Sequence, residues 1–194
     1  MKRTQLPLSL LITCFLLTQL QGCAAPILVA GAAGGASVAN DKRSTRSMVD
    51  DQVIESRTKD KIYANAEVAK KIHINVTSYN GVVLLTGEAL SRSLRTRAIN
   101  IARHIDKVRR VHNEIRVADL TGFSSRTNDS WITSKVKTQM LATKGFKSSQ
   151  VKVTTEAGTV YIMGLVTKAA GNQAAEIARN ISGVKRVVKL FEYN

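Results

Sequence analysis

Apolar side chains along this chain recur first at helical spacing, then in alternation, then at helical spacing again, and from residue 50 onward the whole cycle occurs twice. In the first cycle Val53, Ile54 and Ile62 mark one helix, with Asp50 and Asp51 as N-cap candidates. Ile72, Ile74 and Val76 then alternate as a strand, Asn80-Gly81 reads as a tight turn, and Val82 to Thr86 forms a second strand. Leu94, Ala98, Ile101, Ala102 and Ile105 share one face of a second helix, and Val111, Ile115 and Val117 mark a closing strand. The second cycle answers with Asn128 and Asp129 ahead of Trp131, Ile132 and Met140. It continues through Val151 and Val153, the turn Ala157-Gly158, Val160 to Met163, a helix with Ala170, Ala174, Ile177, Ala178 and Ile181, and a strand with Val187, Phe191 and Tyr193.

The two cycles are copies. Laying residues 76–87 over 153–164 matches the Val, the Thr and both glycines at one offset, and residues 101–111 recur as 177–187, shifted by one. Each copy reads α-β-β-α-β, an α+β unit with two helices on one face of a three-stranded mixed sheet. The closing strand cannot reach its neighbour by a tight turn across a helix, so a crossover should set it parallel to a hairpin strand. The units are expected over 50–118 and 128–194, with the polar, Gly122-containing stretch 119–127 as linker.

Ahead of the repeat stands a different kind of sequence. The basic pair Lys2-Arg3, an uncharged apolar run from Leu6 and small residues at its end have the layout of a secretory signal. Its close, Leu20-Gln21-Gly22-Cys23, resembles a bacterial lipoprotein lipobox. That resemblance implies a signal peptide over 1–22, cleavage before Cys23, and a diacylglyceryl thioether plus an amide-linked acyl chain on Cys23, palmitate being typical. Three chains would hold the protein permanently, since each buried methylene contributes about 0.8 kcal/mol. An uncleaved signal anchor is the competing reading, and Gln21 and Gly22 interrupt the run where a cut is expected. Residues 23–49, rich in Ala and Gly with Pro26 and then polar, read as the lipidated N-terminus and a tether. Ala24, in place of Asp, implies delivery to the outer membrane with the chain facing the periplasm, by the sorting rule of enterobacterial lipoproteins.

Charge then narrows the choice of partner. The chain is +15 with a pI near 10.2, and +13 once Lys2 and Arg3 leave with the signal. Such a protein seeks polyanions, but outside the cytoplasm these are anionic phospholipids, lipopolysaccharide and cell-wall polymers, and no nucleic-acid motif reopens that case. Cys14 and Cys23 are the only cysteines, so the exported part keeps no thiol for a disulfide, a metal cluster or a nucleophile. His73, His104 and His112 lack partners at ligand spacing, and the carboxylates show no catalytic pairing; no cofactor, no metal and no enzymatic activity are expected. The clusters at 107–110 and 184–187 repeat in both copies, which suggests a structural role at the helix C-terminus.

Gly81, Gly87, Ile101-Ala102, Val108 and Val111 together resemble the signature of the BON domain, and two such units behind a lipobox are similar to the dual-BON envelope lipoproteins. The resemblance implies an outer-membrane lipoprotein that supports envelope integrity, gathers at division sites, and binds anionic phospholipid, phosphatidylglycerol or cardiolipin, through the first helix of its second domain. It also implies a tie to the outer-membrane protein assembly machinery.

The helix Ser130 to Leu141 can be read on its own residues. Ile132, Val136 and Met140 share the core face, which leaves Trp131, Ser134, Lys135, Lys137, Thr138 and Leu141 on the flanks and the far side, continued by Lys144 and Lys147 around Phe146. Trp, Leu and lysines on one surface make an interfacial helix. In the first copy the corresponding outer positions are Val53, Glu55, Arg57, Lys59, Asp60 and Tyr63, two of them acidic. Residues 50–118 carry thirteen basic and eight acidic side chains, and residues 126–194 eleven and four, so the second copy is the more positive. The bland alternative packs Trp131 against the neighbouring unit. An adaptor docking on the outer-membrane protein assembly machinery or on cell-wall enzymes would instead use a sheet edge, the groove between units, or Arg92, Arg95, Arg97 and Arg103.

Overall fold

The computed structural model describes residues 43–194; the signal segment, Cys23 and most of the tether lie outside the described residues. The first unit runs α1 (Thr45–Tyr63), a short α2 (Ala66–Ala69), β1 (Ile72–Tyr79), β2 (Val82–Ala89), α3 (Arg92–Arg103) and β3 (Arg110–Val117). The second runs α4 (Phe123–Ala142), a 3-10 turn (Ser148–Gln150), β4 (Val151–Glu156), β5 (Thr159–Val166), α5 (Lys168–Arg179) and β6 (Arg186–Tyr193). In each unit the hairpin is antiparallel and the closing strand lies parallel to its second strand, giving the orders β1-β2-β3 and β4-β5-β6. These are the mixed three-stranded sheets the crossover argument requires.

Both opening helices start earlier than the apolar pattern indicates. α1 follows Ser44, whose Oγ accepts the Ser47 N–H at 3.1 Å, and α4 begins at Phe123, so residues 123–127 of the expected linker are helical. Asp51 and Asp129 are therefore not caps. They sit inside the helices, buried, and their carboxylates reach the hairpin turns. Asp51 accepts the N–H groups of Asn80 (2.7 Å) and Gly81 (2.9 Å), and Asp129 those of Ala157 and Gly158 (both 2.8 Å). The turns need this support because both central residues are left-handed, with φ of 53° and 74° in the first copy and 49° and 77° in the second. The other repeated glycine is dictated by close approach: a Cβ on Gly87 would lie 1.9 Å from the His73 carbonyl oxygen.

Alternation along the strands builds three cores. Val83 and Leu85 face Ile54, Ile62, Ala98 and Ala102 of α1 and α3. Val160 and Ile162 face Ile132, Val136, Met140, Ala174 and Ala178 of α4 and α5. On the opposite sheet faces Tyr79, Val82 and Leu84 meet Tyr161 and Met163, with Leu165, Val188 and Leu190 around them. The two sheets thus stand back to back, in the layer order helices, sheet, sheet, helices. Every residue of β2 is buried for this reason. Val117 and Tyr193, read as inward-facing, are exposed because they close the outer strands β3 and β6. The cores close within the described residues, which belong to one compact unit.

Polar groups frame the apolar seam. Lys152 Nζ donates to Glu55 Oε1 at 2.5 Å, Arg109 grips Glu192 with two nitrogens at 2.7 and 3.1 Å, and Arg186 lies 3.7 Å from Glu114. Asn75 Nδ2 donates to Glu156 Oε2 at 2.9 Å, and the Tyr79 hydroxyl to the Gln150 carbonyl at 2.9 Å. Burial pushes the Glu192 carboxyl up, yet the hydrogen bonds from Arg109 and Asn80 outweigh it and hold the group below the usual carboxylate range. Burial and the Glu114 carboxylate push the Tyr161 hydroxyl up to about 12.

Candidate functional site

Helix α4 owes its orientation to Asp129, in its second turn, and to Ile132, Val136 and Met140 further along, all of them buried. What remains faces outward. Trp131 is 61 % exposed and Leu141 72 % exposed, two of the large apolar side chains that burial leaves in water. The bland packing of Trp131 against the neighbouring unit does not occur; instead Lys135 Nζ lies 5.1 Å from the centre of its ring, a cation–π distance.

Trp131, Ser134, Lys135, Thr138 and Gln139 form one wall of a groove of about 450 Å³, and Asn180, Ile181 and Ser182, just beyond α5, form the other. A second recess of about 410 Å³, lined by Gln139, Gln173, Glu176, Ile177, Asn180 and Ile181, continues it along α5. The structure therefore brings Trp131, Ser134, Lys135 and Thr138 together. Leu141 lies further along α4, and Lys137 stands exposed on the other flank. Lys144 is exposed in the following loop, whereas Lys147 lines a separate recess of about 220 Å³ with Phe146, Gln150 and Ala170. The Ser134 hydroxyl donates to the Ser130 carbonyl at 3.0 Å, so its contribution to any ligand is as an acceptor. Lys135, Lys137, Lys144 and Lys147 have no carboxylate partner among the described residues.

Asn180, Ile181 and Ser182 were not legible as site residues, because they join α4 only through packing of the two helices. Two sequence readings need correction as well. Glu55 is not an outward acid: its carboxylate turns to the seam between the sheets, accepting the Ser78 N–H at 2.6 Å as well as Lys152. Its counterpart Thr133 turns the same way and donates to Thr155 Oγ1 at 2.7 Å. The acidic contrast at the outer face consequently rests on Asp60. The repeated basic clusters serve the hairpin turns rather than the helix ends: Arg109 and Lys185 lay their stems against the positions a Cβ would take on Gly81 and Gly158, and their N–H groups donate to the glycine carbonyls at 2.8 Å. Among the described residues there is no cluster of three or more His, Cys, Asp or Glu suited to a metal, and no helix long and apolar enough to cross a membrane.

Residues 50–119 and 128–194 each match the BON domain. The chain belongs to the BON-domain family. It is 37 % identical over 174 residues, 90 % of both chains, to the outer membrane lipoprotein DolP of Haemophilus influenzae. It is 39 % identical to the 21 kDa hemolysin of Actinobacillus pleuropneumoniae, covering 79 % of each chain, and 28 % identical to the osmotically-inducible protein Y of Escherichia coli K12, covering 79 % of this chain and 77 % of that one. The names of these relatives are those of a lipoprotein, a hemolysin and an osmotically inducible protein, and none of the three states a reaction.

Proposed function

We propose that this BON protein is a non-enzymatic outer-membrane lipoprotein, anchored through Cys23 and facing the periplasm, whose second unit binds anionic phospholipid, phosphatidylglycerol or cardiolipin, through the outer face of α4. In this role it supports envelope integrity, at division sites. The observation that carries the reading is the exposed pair Trp131 and Leu141 set among lysines without carboxylate partners among the described residues.

Magnitudes favour a surface that needs both kinds of residue. A large apolar side chain removed from water contributes up to about 2 kcal/mol, and each lysine beside an anionic surface about 1 kcal/mol at modest salt. Neither contribution dominates, so binding should fail when either is removed. The Trp ring suits the head-group boundary because its body is apolar while its N–H needs a partner. The groove beside it offers Asn180, Gln139 and Thr138 as hydrogen-bonding groups at head-group depth.

Trp131 is the chain's single tryptophan, so its fluorescence reports on this site alone. A chain beginning at Asp41 should show a blue-shifted emission on mixing with phosphatidylglycerol or cardiolipin vesicles, reversed by salt, and no shift with phosphatidylcholine vesicles. An unshifted spectrum with anionic vesicles would remove the support for this reading.

A further inference from the structure

The two copies share a fold but not a distribution of charge. α3 carries Arg92, Arg95, Arg97 and Arg103 and no carboxylate. The matching positions of α5 are Lys168, Gly171, Gln173 and Arg179, and Arg179 is paired with Glu176 at 3.3 Å. None of the four arginines on α3 has an ion-pair or hydrogen-bond partner among the described residues. Since α5 forms the same helix without them, the fold does not require this charge.

The helix in fact disfavours it. Arg92 and Arg95 occupy the first turns of α3, where the helix dipole repels cations and no acidic residue compensates. Arg92 and Arg95 are also spaced as like-charged neighbours on one face, a spacing that destabilises a helix. At one hundred degrees per residue Arg92, Arg95 and Arg103 fall along one flank, a strip about 16 Å long rather than a point. Guanidinium groups arranged in this way match a row of carboxylates.

The layer order fixes where that strip faces. The sheets stand back to back, so α3 lies in the outer layer opposite to α4, about 30 Å away at roughly 10 Å per layer. A flat bilayer in contact with α4 cannot also touch α3. We infer that the arginine strip of α3 binds the carboxylate-bearing glycan-peptide polymer of the cell wall, so that the folded part bridges membrane and wall. This rests on the reading of α4 as the lipid-facing helix of a periplasmic chain.

The test is sedimentation of the chain from Asp41 to Asn194 with purified peptidoglycan sacculi, alongside flotation with phosphatidylglycerol vesicles. Wild type is compared with the triple variant Arg92→Gln/Arg95→Gln/Arg103→Gln and with Trp131→Glu. Circular dichroism of the triple variant should show the wild-type fold and an unchanged or raised thermal midpoint, since repulsion is relieved. Wild type and Trp131→Glu should both pellet with sacculi, salt should release them, and the triple variant should pellet several-fold less while still floating with vesicles. Failure of wild type to pellet, or equal pelleting of the triple variant, overturns the inference, as does loss of vesicle binding in the triple variant, which would make α3 a second lipid contact. If Trp131→Glu still floats while the triple variant loses sacculi, the lipid reading of α4 fails and the wall contact stands.

Discussion

The N–H of Gly158 donates to Asp129 Oδ1 at 2.8 Å, binding the first helix of the second unit to the turn of its hairpin. Ala157 N–H donates to the other carboxylate oxygen, and Asp51 repeats the arrangement in the first unit. Both oxygens of a buried carboxylate are in use, and hydrogen bonds to charged groups contribute about 1.5–3 kcal/mol. Asp129→Asn turns one acceptor into a donor facing an N–H. A loss of about 2 kcal/mol is expected, read as a lower urea midpoint with an unchanged slope.

Ala157 is left-handed at φ 49°, where the first unit has Asn80. An alanine there carries a penalty of about 1 kcal/mol that asparagine largely avoids. Ala157→Asn is expected to stabilise the chain by up to about 1 kcal/mol, and Asn80→Ala to destabilise it by more, about 2 kcal/mol, since it also removes the 2.9 Å hydrogen bond from Asn80 Nδ2 to Glu192. Thermal midpoints of the two single variants, moving in opposite directions, check the pair.

Thr58 is fully buried in α1, and its hydroxyl has no hydrogen-bond partner among the described residues. The same position in α4 is Val136, equally buried. Thr58→Val keeps the shape and removes the orphaned hydroxyl, so a gain of about 1 kcal/mol in chemical denaturation is expected.

The order of elements was legible because each strand and helix announces itself by period, and the parallel closing strand followed from the intervening helix. The helix starts were not, since Thr45 to Met48 and Ser124 to Arg126 are exposed or half-buried and carry no apolar rhythm. The back-to-back sheets had left a trace in Val82-Val83-Leu84-Leu85, where alternation stops because both faces are covered. Which residues pair across that seam depends on two sheets meeting, and no local pattern encodes it. For the site, the outward turn of Trp131 followed from the inward turn of Ile132, whereas the far wall at Asn180 to Ser182 depends on how α5 packs.

Burial raises the Glu156 carboxyl above its usual range, with the Asn75 hydrogen bond opposing and the Glu88 carboxylate adding to the rise. A carboxyl whose folded pKa is raised holds its proton more tightly in the native state than in the unfolded one. Its effect on stability is therefore most favourable below the unfolded value and worsens as pH climbs from there through the raised value. Glu156→Gln keeps an oxygen for Asn75 and removes the charge. Its thermal midpoint should exceed wild type at neutral pH, and the difference should vanish on acidification to about pH 3.

The lipid-facing reading of α4 is tested most directly by co-sedimentation of the chain from Asp41 to Asn194 with phosphatidylglycerol- or cardiolipin-containing vesicles and with phosphatidylcholine vesicles, wild type against Trp131→Glu. An exposed side chain can be replaced at a cost within about 0.5 kcal/mol, so the variant should keep its fold. Wild type should pellet with the anionic vesicles only, and Trp131→Glu with neither. Equal pelleting of the folded variant, or no pelleting of wild type with either vesicle, would contradict a membrane role for this helix.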